Sequence, residues 1–427
     1  MKIAIIGAGI SGHAAALALQ GHHDITLYEK RDRPGGHSAT VDVEYDGCKI
    51  AVDTGFIVYN ERNYPSLCAM FDHLGVKTEL SCMSFSVSLD NARLECCGSS
   101  LAEVFAQPLN IINPKFLRML KDILRFNRQA ITDLDNHLDD DMPLGQYLQW
   151  RGFSRSFIDW YLVPMAAAIW STPPGGVLNF PAATLMKFFR NHQLLQIQTP
   201  LWRTVSGGSR NYVTRLHERL GEAVRLSTEI ASVRRDDRGL IVTDVIGHSD
   251  RFDHVILACH SDQALRLLAD ADADQRDVLS AIPYRPNEVW LHRDPDLMPK
   301  RRKAWAAWNF IGGSGSQISV TYWMNRLQNI DEAYPLFVSL NPVKPPRDDV
   351  VFRRFQYDHP QYDAAAIDAQ ERLPAIQGRG GLWFCGAWTA HGFHEDGMAS
   401  GLRVAEALGG FAPWQPAAAR GFLEAAE

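Results

Sequence analysis

The chain has 427 residues, 46% of them hydrophobic and 22% charged, with a formal net charge of -6. That length suits two or three lobes around a large core, and the acidic balance argues against a nucleic-acid partner. Seven cysteines, with Cys96 and Cys97 adjacent, show neither a disulfide framework nor metal-ligand spacing, so no metal is expected and a reducing compartment fits. The apolar run at residues 3–6 is cut short by Gly7, too early for a signal segment, and no run approaches the roughly 20 residues of a membrane span. The expectation is a cytoplasmic protein, with contact to the inner face of the membrane left open.

Residues 3–6 read as a strand ending at Gly7, 11–20 as an Ala/Leu-rich helix and 24–28 as a second strand. Such a unit opens a doubly wound α/β fold. Asp46-Gly47 between 40–44 and 49–53 signals a hairpin. From about 101 to 193 the reading is helical. Pro114 starts one helix, in which Leu117, Leu120, Ile123, Leu124 and Ile131 keep helical spacing. Two more, at 156–169 and 182–192, are split by Ser171-Thr172-Pro173-Pro174-Gly175-Gly176. Short strands return across 224–257, and again at 288–292, 304–310, 318–323 and 336–340. Gly312-Gly313-Ser314-Gly315 lacks a strand-turn-helix context and reads as a hairpin loop, so there is no second dinucleotide fingerprint. A strand at 382–385, a loop from Gly386 and a helix near 398–408 close the pattern, with 411–427 an Ala-rich tail read as a frayed end.

The opening turn, Gly7-Ala8-Gly9-Ile10-Ser11-Gly12, carries the first chemistry. Its glycines permit a tight turn, close backbone approach to a pyrophosphate and tight helix–strand packing. Glu29 ends the next strand, where a carboxylate accepts ribose hydroxyls and disfavours a 2′-phosphate. A dinucleotide is expected; an ordinary structural turn is the alternative.

The continuation Glu29-Lys30-Arg31-Asp32-Arg33-Pro34-Gly35-Gly36-His37 resembles the paired-glycine segment of the flavin amine oxidase and phytoene desaturase superfamily. The resemblance implies FAD, with Lys30, Arg33, Gly35, Gly36 and His37 along its diphosphate and ribitol. Val52-Asp53-Thr54-Gly55-Phe56 resembles the family's segment near the flavin, and Ser206-Gly207-Gly208-Ser209 its mid-chain glycine pair. Residues 228–233 resemble the strand whose backbone, here at Val233, meets adenine, and 253–258 the strand returning to the nucleotide lobe. The segment from Phe384-Cys385-Gly386-Ala387-Trp388 to His394-Glu395-Asp396-Gly397-Met398-Ala399-Ser400-Gly401 resembles the closing FAD motif. There, Gly386, Ala387, Gly397 and Met398 bring a helix N-terminus to the flavin pyrimidine, where its dipole stabilises negative charge. Two positions depart from the family: Ala387 stands where an acid often holds the ribitol, and His37 where an arginine is common.

The implied fold class is α/β: a Rossmann-type FAD-binding domain of the glutathione-reductase and amine-oxidase kind, with a second mixed α+β substrate domain. The expected division assigns 1–100, 200–285 and 375–410 to FAD and 101–199 with 286–374 to substrate. The strand Asn287-Glu288-Val289-Trp290-Leu291-His292 lacks the lysine that many amine oxidases place beneath the flavin. Across the chain, including Gly55-Phe56-Ile57-Val58-Tyr59-Asn60 and residues 322–327, the pattern is similar to a bacterial subgroup of FAD-dependent oxidoreductases associated with fatty-acyl modification. That similarity implies hydride abstraction from an unsaturated or methyl-branched acyl chain. A non-redox fatty acid double-bond isomerase, an amine oxidase and a non-catalytic nucleotide-binding scaffold are the alternatives. His391, His394 and Glu395 are the candidate acid–base residues, each equally readable as a loop or capping residue, and Tyr59 and Asn60 are weaker candidates for positioning. Residues 157–189 read as a tunnel lining for an apolar small-molecule substrate or as plain helical core, and Trp388 as an aromatic wall or as packing. Lys300-Arg301-Arg302-Lys303 with Trp305 and Trp308 reads as a membrane-facing cluster or a solvated loop. The electron acceptor is left open among oxygen, a quinone and a protein partner.

Overall fold

The computed structural model describes residues 1–98, 100–195, 200–312 and 319–415. Its first sheet is wholly parallel, in the order Val224–Arg225, Asp24–Tyr28, Lys2–Ile6, His254–Leu257, Leu382–Phe384. Ile3, Ile5 and Leu27 are buried, as strands covered on both faces require. Helices Ile10–Leu19 and His394–Ala407 pack together beside this sheet. The first and last glycine motifs, at opposite ends of the chain, therefore meet at one edge of one layer. This is the Rossmann-type α/β architecture expected.

A three-stranded antiparallel meander, Ile230–Asp236, Gly239–Asp244 and Ser249–Phe252, leads into the strand His254–Leu257. A mixed seven-stranded sheet forms the second layer, in the order Val351–Pro360, Tyr284–His292, Phe337–Leu340, Ser319–Trp323, Trp308–Gly312, Phe85–Leu89, Leu94–Cys97. The last two strands fall in the stretch expected to belong to the FAD lobe, yet Phe85–Leu89 pairs in parallel with Trp308–Gly312. The expected strand at 304–310 begins only at Trp308, because Arg302–Ala304 forms a 3-10 turn. Of Gly312-Gly313-Ser314-Gly315, all but Gly312 lie outside the described residues.

The helix from Pro114 runs to Asp135, N-capped by the Asn113 side chain, which accepts the amides of Lys115 and Phe116. Its buried stripe is Phe116, Met119, Phe126 and Ala130, while Leu117 and Leu124 face outward. The helix expected at 156–169 is real but not uniform: a π turn, Ile158–Leu162, interrupts it between Arg155–Phe157 and Val163–Trp170. Pro164 has no N–H to continue the α ladder, and a widened turn just before it absorbs that loss. A short helix, Pro174–Asn179, starts inside the expected break because proline suits the first helical position. These helices and the seven-stranded sheet share the largest apolar core, which holds Phe157, Leu162, Leu185, Phe188 and Phe189.

Asp53 joins the parts. Its buried carboxylate accepts the Ser209 amide (2.9 Å), the Ser209 hydroxyl (2.8 Å), the Thr40 hydroxyl (2.5 Å) and the Gln328 amide (3.0 Å). One side chain thus ties the first hairpin, the mid-chain glycine pair and the second layer. The tail begins docked rather than frayed: the Phe411 amide donates to the Ala18 carbonyl and Ala412 is buried. Residues 416–427 lie outside the described residues. Among the described residues no helix is long and apolar enough to cross a membrane.

Candidate active site

The three glycine motifs come together. The Gly35 amide donates to the Ala8 carbonyl at 2.7 Å, and a Cβ on Gly36 would stand 3.1 Å from Gly9 Cα. A Cβ on Gly397 would stand 3.0 Å from Ser11 Oγ and 3.5 Å from the Ala387 amide nitrogen. Gly55 lies against the His37 carbonyl, and the Phe56 amide donates to that same oxygen at 2.9 Å. Phe56 in turn stacks on His394, with ring centres 3.9 Å apart.

This cradle fits a dinucleotide. Added Cβ atoms at Gly7 and Gly12 would strike backbone oxygens, but one at Gly9 would meet nothing within 4 Å, so open space lies beside the middle glycine. Gly9 also begins the first helix with no side chain capping its N-terminus, which leaves that end to an anion. Glu29 accepts the Ala8 amide at 3.0 Å and the Arg31 amide at 2.9 Å. A carboxylate takes about four such bonds, so acceptor capacity remains for ribose hydroxyls.

His37 shows how deep the site runs. The ring keeps an exposed surface although protein surrounds it, which places it on the wall of an internal cleft. Burial, reinforced by His359 and His260, pulls its pKa down to about 3. It is therefore neutral at physiological pH and offers a phosphate a hydrogen bond but no charge. Arg33 does not replace the missing cation freely, since its guanidinium donates to the Gly36 carbonyl at 3.3 Å and holds the loop. Lys30 is exposed at the rim.

The other wall comes from the strand Val351–Pro360, which sequence reasoning missed. Tyr357 lies 5.1 Å from His37 between ring centres, His359 lies at 6.1 Å, and His260, in the loop after strand His254–Leu257, at 6.2 Å. The Tyr357 hydroxyl is 2.9 Å from Thr54 Oγ1, and His359 Nδ1 is 3.0 Å from Ser171 Oγ. The alternation Phe355, Tyr357, His359 is a period-2 signal that would have found this face. Tyr362, just beyond, is buried against Gly392 with its hydroxyl unpaired and its pKa raised by burial. An orphaned hydroxyl beside the closing motif points to a polar group of a ligand there.

The candidate acid–base residues separate in role. His394 Nε2 is 2.7 Å from the Tyr212 hydroxyl, which is also bonded to Ser38, and burial pulls its pKa to about 3. Glu395 points away, accepting the amides of Ser66 (2.8 Å) and Leu67 (3.0 Å) at the start of helix Pro65–Leu74. Burial raises its pKa. The His391 ring meets Phe188 edge to face, with ring centres 5.8 Å apart. Met398 is fully buried against Ile10 and Ala14 and acts in packing. Val233 is buried too, with its carbonyl accepting the Ala269 amide at 3.0 Å, which competes with the expected adenine contact. Tyr59 and Asn60 are buried on a short strand, Val58–Asn60, and Asn60 Oδ1 accepts the Asn63 amide.

Two aromatic expectations change. Trp388 is core, donating to the Cys259 carbonyl at 3.0 Å. Trp305 and Trp308 turn inward: Trp305 meets Trp323 and Phe337, and Trp308 meets Tyr322. Arg302 stacks over Trp305 and Trp323, while the buried Glu95 carboxylate takes Arg301 at 2.8 Å and the Lys300 amide at 2.6 Å. Residues 300–308 are thus anchored to the second sheet.

Comparison with known proteins adds the family. No curated protein matches the chain. Among solved structures, the reduced UDP-galactopyranose mutase shares 16% identity over 95% of both chains with a TM-score of 0.69. The CLA-producing fatty acid isomerase from P. acnes shares 16% identity, covering 95% of this chain and 97% of that one, with a TM-score of 0.67. Putrescine oxidase bound to putrescine also shares 16%, covering 96% and 99%, again at 0.67. Identities this low speak for the fold alone. A family model, flavin containing amine oxidoreductase, matches residues 10–289, well over half the chain and most of the cradle described above. On that match the chain belongs to the flavin containing amine oxidoreductase family, and its cofactor is FAD.

Proposed function

We propose that the protein is an FAD-dependent oxidoreductase that removes a hydride from an apolar substrate, an unsaturated or methyl-branched fatty acyl chain. The observation that carries this reading is an aromatic row leaving the closing FAD motif. Phe393 stacks on Phe188 with ring centres 5.1 Å apart, Phe188 meets Trp170 at 4.7 Å, and Trp170 stacks on Phe180 at 5.2 Å. The row joins the cofactor motif to the apolar core of the helical block, so apolar side chains back that end of the site, which suits an apolar substrate. The strand at 287–292 holds no lysine of the kind many amine oxidases place beneath the flavin, which counts against that chemistry.

FAD, when bound, supplies the hydride acceptor. The chain's own residues orient the substrate and move the proton. His391, at the head of the aromatic row, is the group we assign to take the proton from the carbon next to the one losing hydride, so that a double bond forms. The two electrons then pass to an acceptor outside the chain: oxygen, a quinone or a protein. His394 positions the Phe56 ring, and Glu395 fixes the neighbouring helix.

A second reading, a double-bond isomerase, shares this geometry, and a fatty acid isomerase has the same fold. In it the hydride returns to the same molecule. Anaerobic incubation of the holoprotein with polyunsaturated and methyl-branched fatty acids, and separately with putrescine, tests both readings. Loss of the yellow flavin band with a product two hydrogens lighter supports the oxidoreductase. An unchanged mass with a displaced double bond supports the isomerase, and bleaching by the amine alone overturns both.

A further inference from the structure

The face formed by the turn Pro108–Ile112 and the outer side of helix Pro114–Asp135 has no role in the cofactor site. Leu109 and Ile112 are 76% and 74% exposed, and Ile111, Leu117 and Leu124 also face solvent. Five large aliphatic side chains within sixteen residues form an exposed patch of the kind that marks an interaction surface. The opposite stripe of the same helix, Phe116, Met119, Phe126 and Ala130, already meets the core, so the outward leucines are a second apolar stripe without a partner.

The charges around it are one-sided. Residues 108–128 hold Lys115, Arg118, Lys121, Arg125 and Arg128 against a single acid, Asp122, in a chain whose net charge is -6. Asp122 is buried and already shared between Arg118 and Arg125. Among the described residues the side chains of Lys115, Lys121 and Arg128 make no ion pair. Beside the helix start lies a depression of about 450 Å³ whose rim includes Lys115, Arg118, Arg155 and Trp160, with Asp159 the one acid. Burial raises the Asp159 carboxyl above its ordinary value.

We infer that this face docks the protein on an anionic lipid bilayer, with Leu109, Ile111 and Ile112 entering the headgroup boundary and the lysines and arginines meeting lipid phosphate. An amphipathic surface of protruding aliphatic residues edged with basic groups is what interfacial binding needs. Leu109 and Ile112 are about three-quarters exposed on a short turn and line no part of that depression, which suits a fluid surface better than a folded partner. The local positive charge would also turn an acidic protein with this face toward the membrane. The π turn Ile158–Leu162, which carries Trp160, leads directly into helix Val163–Trp170 of the apolar block, so a bound lipid would be delivered beside it. The docking surface itself stands whether or not the substrate is an acyl chain.

Flotation of the FAD-loaded protein with vesicles tests it, using phosphatidylcholine alone and phosphatidylcholine mixed with phosphatidylglycerol. The bound fraction is expected to be about tenfold higher on the anionic vesicles at low salt and to fall as salt screens the contact. Ile111→Asp with Ile112→Asp, and separately Lys115→Glu with Lys121→Glu, should each lower it about fivefold while the flavin spectrum and circular dichroism stay unchanged. Lys300→Glu with Lys303→Glu, an equal charge change on the other basic cluster, should leave it intact. Absence of wild-type flotation overturns the inference and leaves the face to a protein partner. So does binding that survives both double substitutions, or that is lost only in the Lys300 and Lys303 variant. Should a variant unfold, brominated lipid in the anionic vesicles gives the wild-type measurement: tryptophan emission must be quenched, and unquenched emission overturns the inference as well.

Discussion

Gly401 in the last helix lies so close to Ser11 in the first that a methyl group on it would stand 2.2 Å from the Ser11 carbonyl oxygen. The two helices flank the cofactor cradle, so their spacing sets where Gly9 and Gly397 stand. Gly401→Ala must push them apart, and overpacking of this kind costs about 1–3 kcal/mol or more. The expected result is a lower Tm together with weaker FAD retention on gel filtration. A variant with wild-type Tm and full flavin content would remove this spacing argument.

Arg33 makes a different kind of prediction. Its guanidinium donates to the Gly36 carbonyl, and His37 beyond it is uncharged. Removing the side chain leaves the Gly36 carbonyl without this donor, loosens the paired-glycine loop and deletes a cation beside the cradle. Arg33→Ala should therefore weaken FAD affinity by about tenfold or more, one charge-assisted hydrogen bond being worth about 1.5–3 kcal/mol. Titration of apoprotein with FAD measures it, and Arg33→Lys should recover only part of the loss because a point charge lacks the planar fork.

What the sequence reveals follows from where each signal is local. The opening turn, the Asp46-Gly47 hairpin and the closing helix are legible because glycine spacing states a backbone need within a few residues. The helix from Pro114 is legible in period but not in face: two apolar stripes coexist, and only packing selects Phe116 and Met119 over Leu117 and Leu124. The strand Val351–Pro360 is legible only in part: Phe355, Tyr357 and His359 keep a period of two, but the adjacent Arg353 and Arg354 break the alternation at its start. Tyr357 reaches Thr54 across 303 residues, and Tyr212 reaches His394 across 182. Neither pairing leaves a mark in local pattern, so which residues meet across the cleft is visible only in three dimensions.

Acid should weaken the fold through two buried histidines. His13 and His292 are both buried, and burial lowers each to about 4 from the ordinary 6.5. Between those values the unfolded chain binds protons that the folded chain refuses. Stability therefore falls as pH drops below 6.5, by about 1.4 kcal/mol per pH unit for each histidine, and is flat above it on their account. Urea unfolding of the holoprotein at neutral pH and at about pH 5 should show this loss, and His13→Gln should reduce it by about 1 kcal/mol per pH unit. An equal loss in wild type and variant would mean that His13 is protonated in the folded state.

Glu395 separates a structural carboxylate from a chemical one. Both its oxygens face the amides of Ser66 and Leu67, at the end of a helix whose Leu67, Met70 and Phe71 pack beside Tyr212 and Met398. An acid in that place satisfies two orphan donors and complements the helix dipole, and losing such a cap costs about 0.5–2 kcal/mol. Glu395→Ala should therefore lower Tm, whereas turnover of the folded enzyme should change by less than about tenfold with an unaltered pH profile. His391→Ala is expected to behave in the opposite way, with Tm retained and turnover reduced by about a hundredfold or more, as removal of a general base requires. If Glu395→Ala instead abolishes turnover at unchanged Tm, the proton passes through Glu395, and its hold on the helix must break in each catalytic cycle.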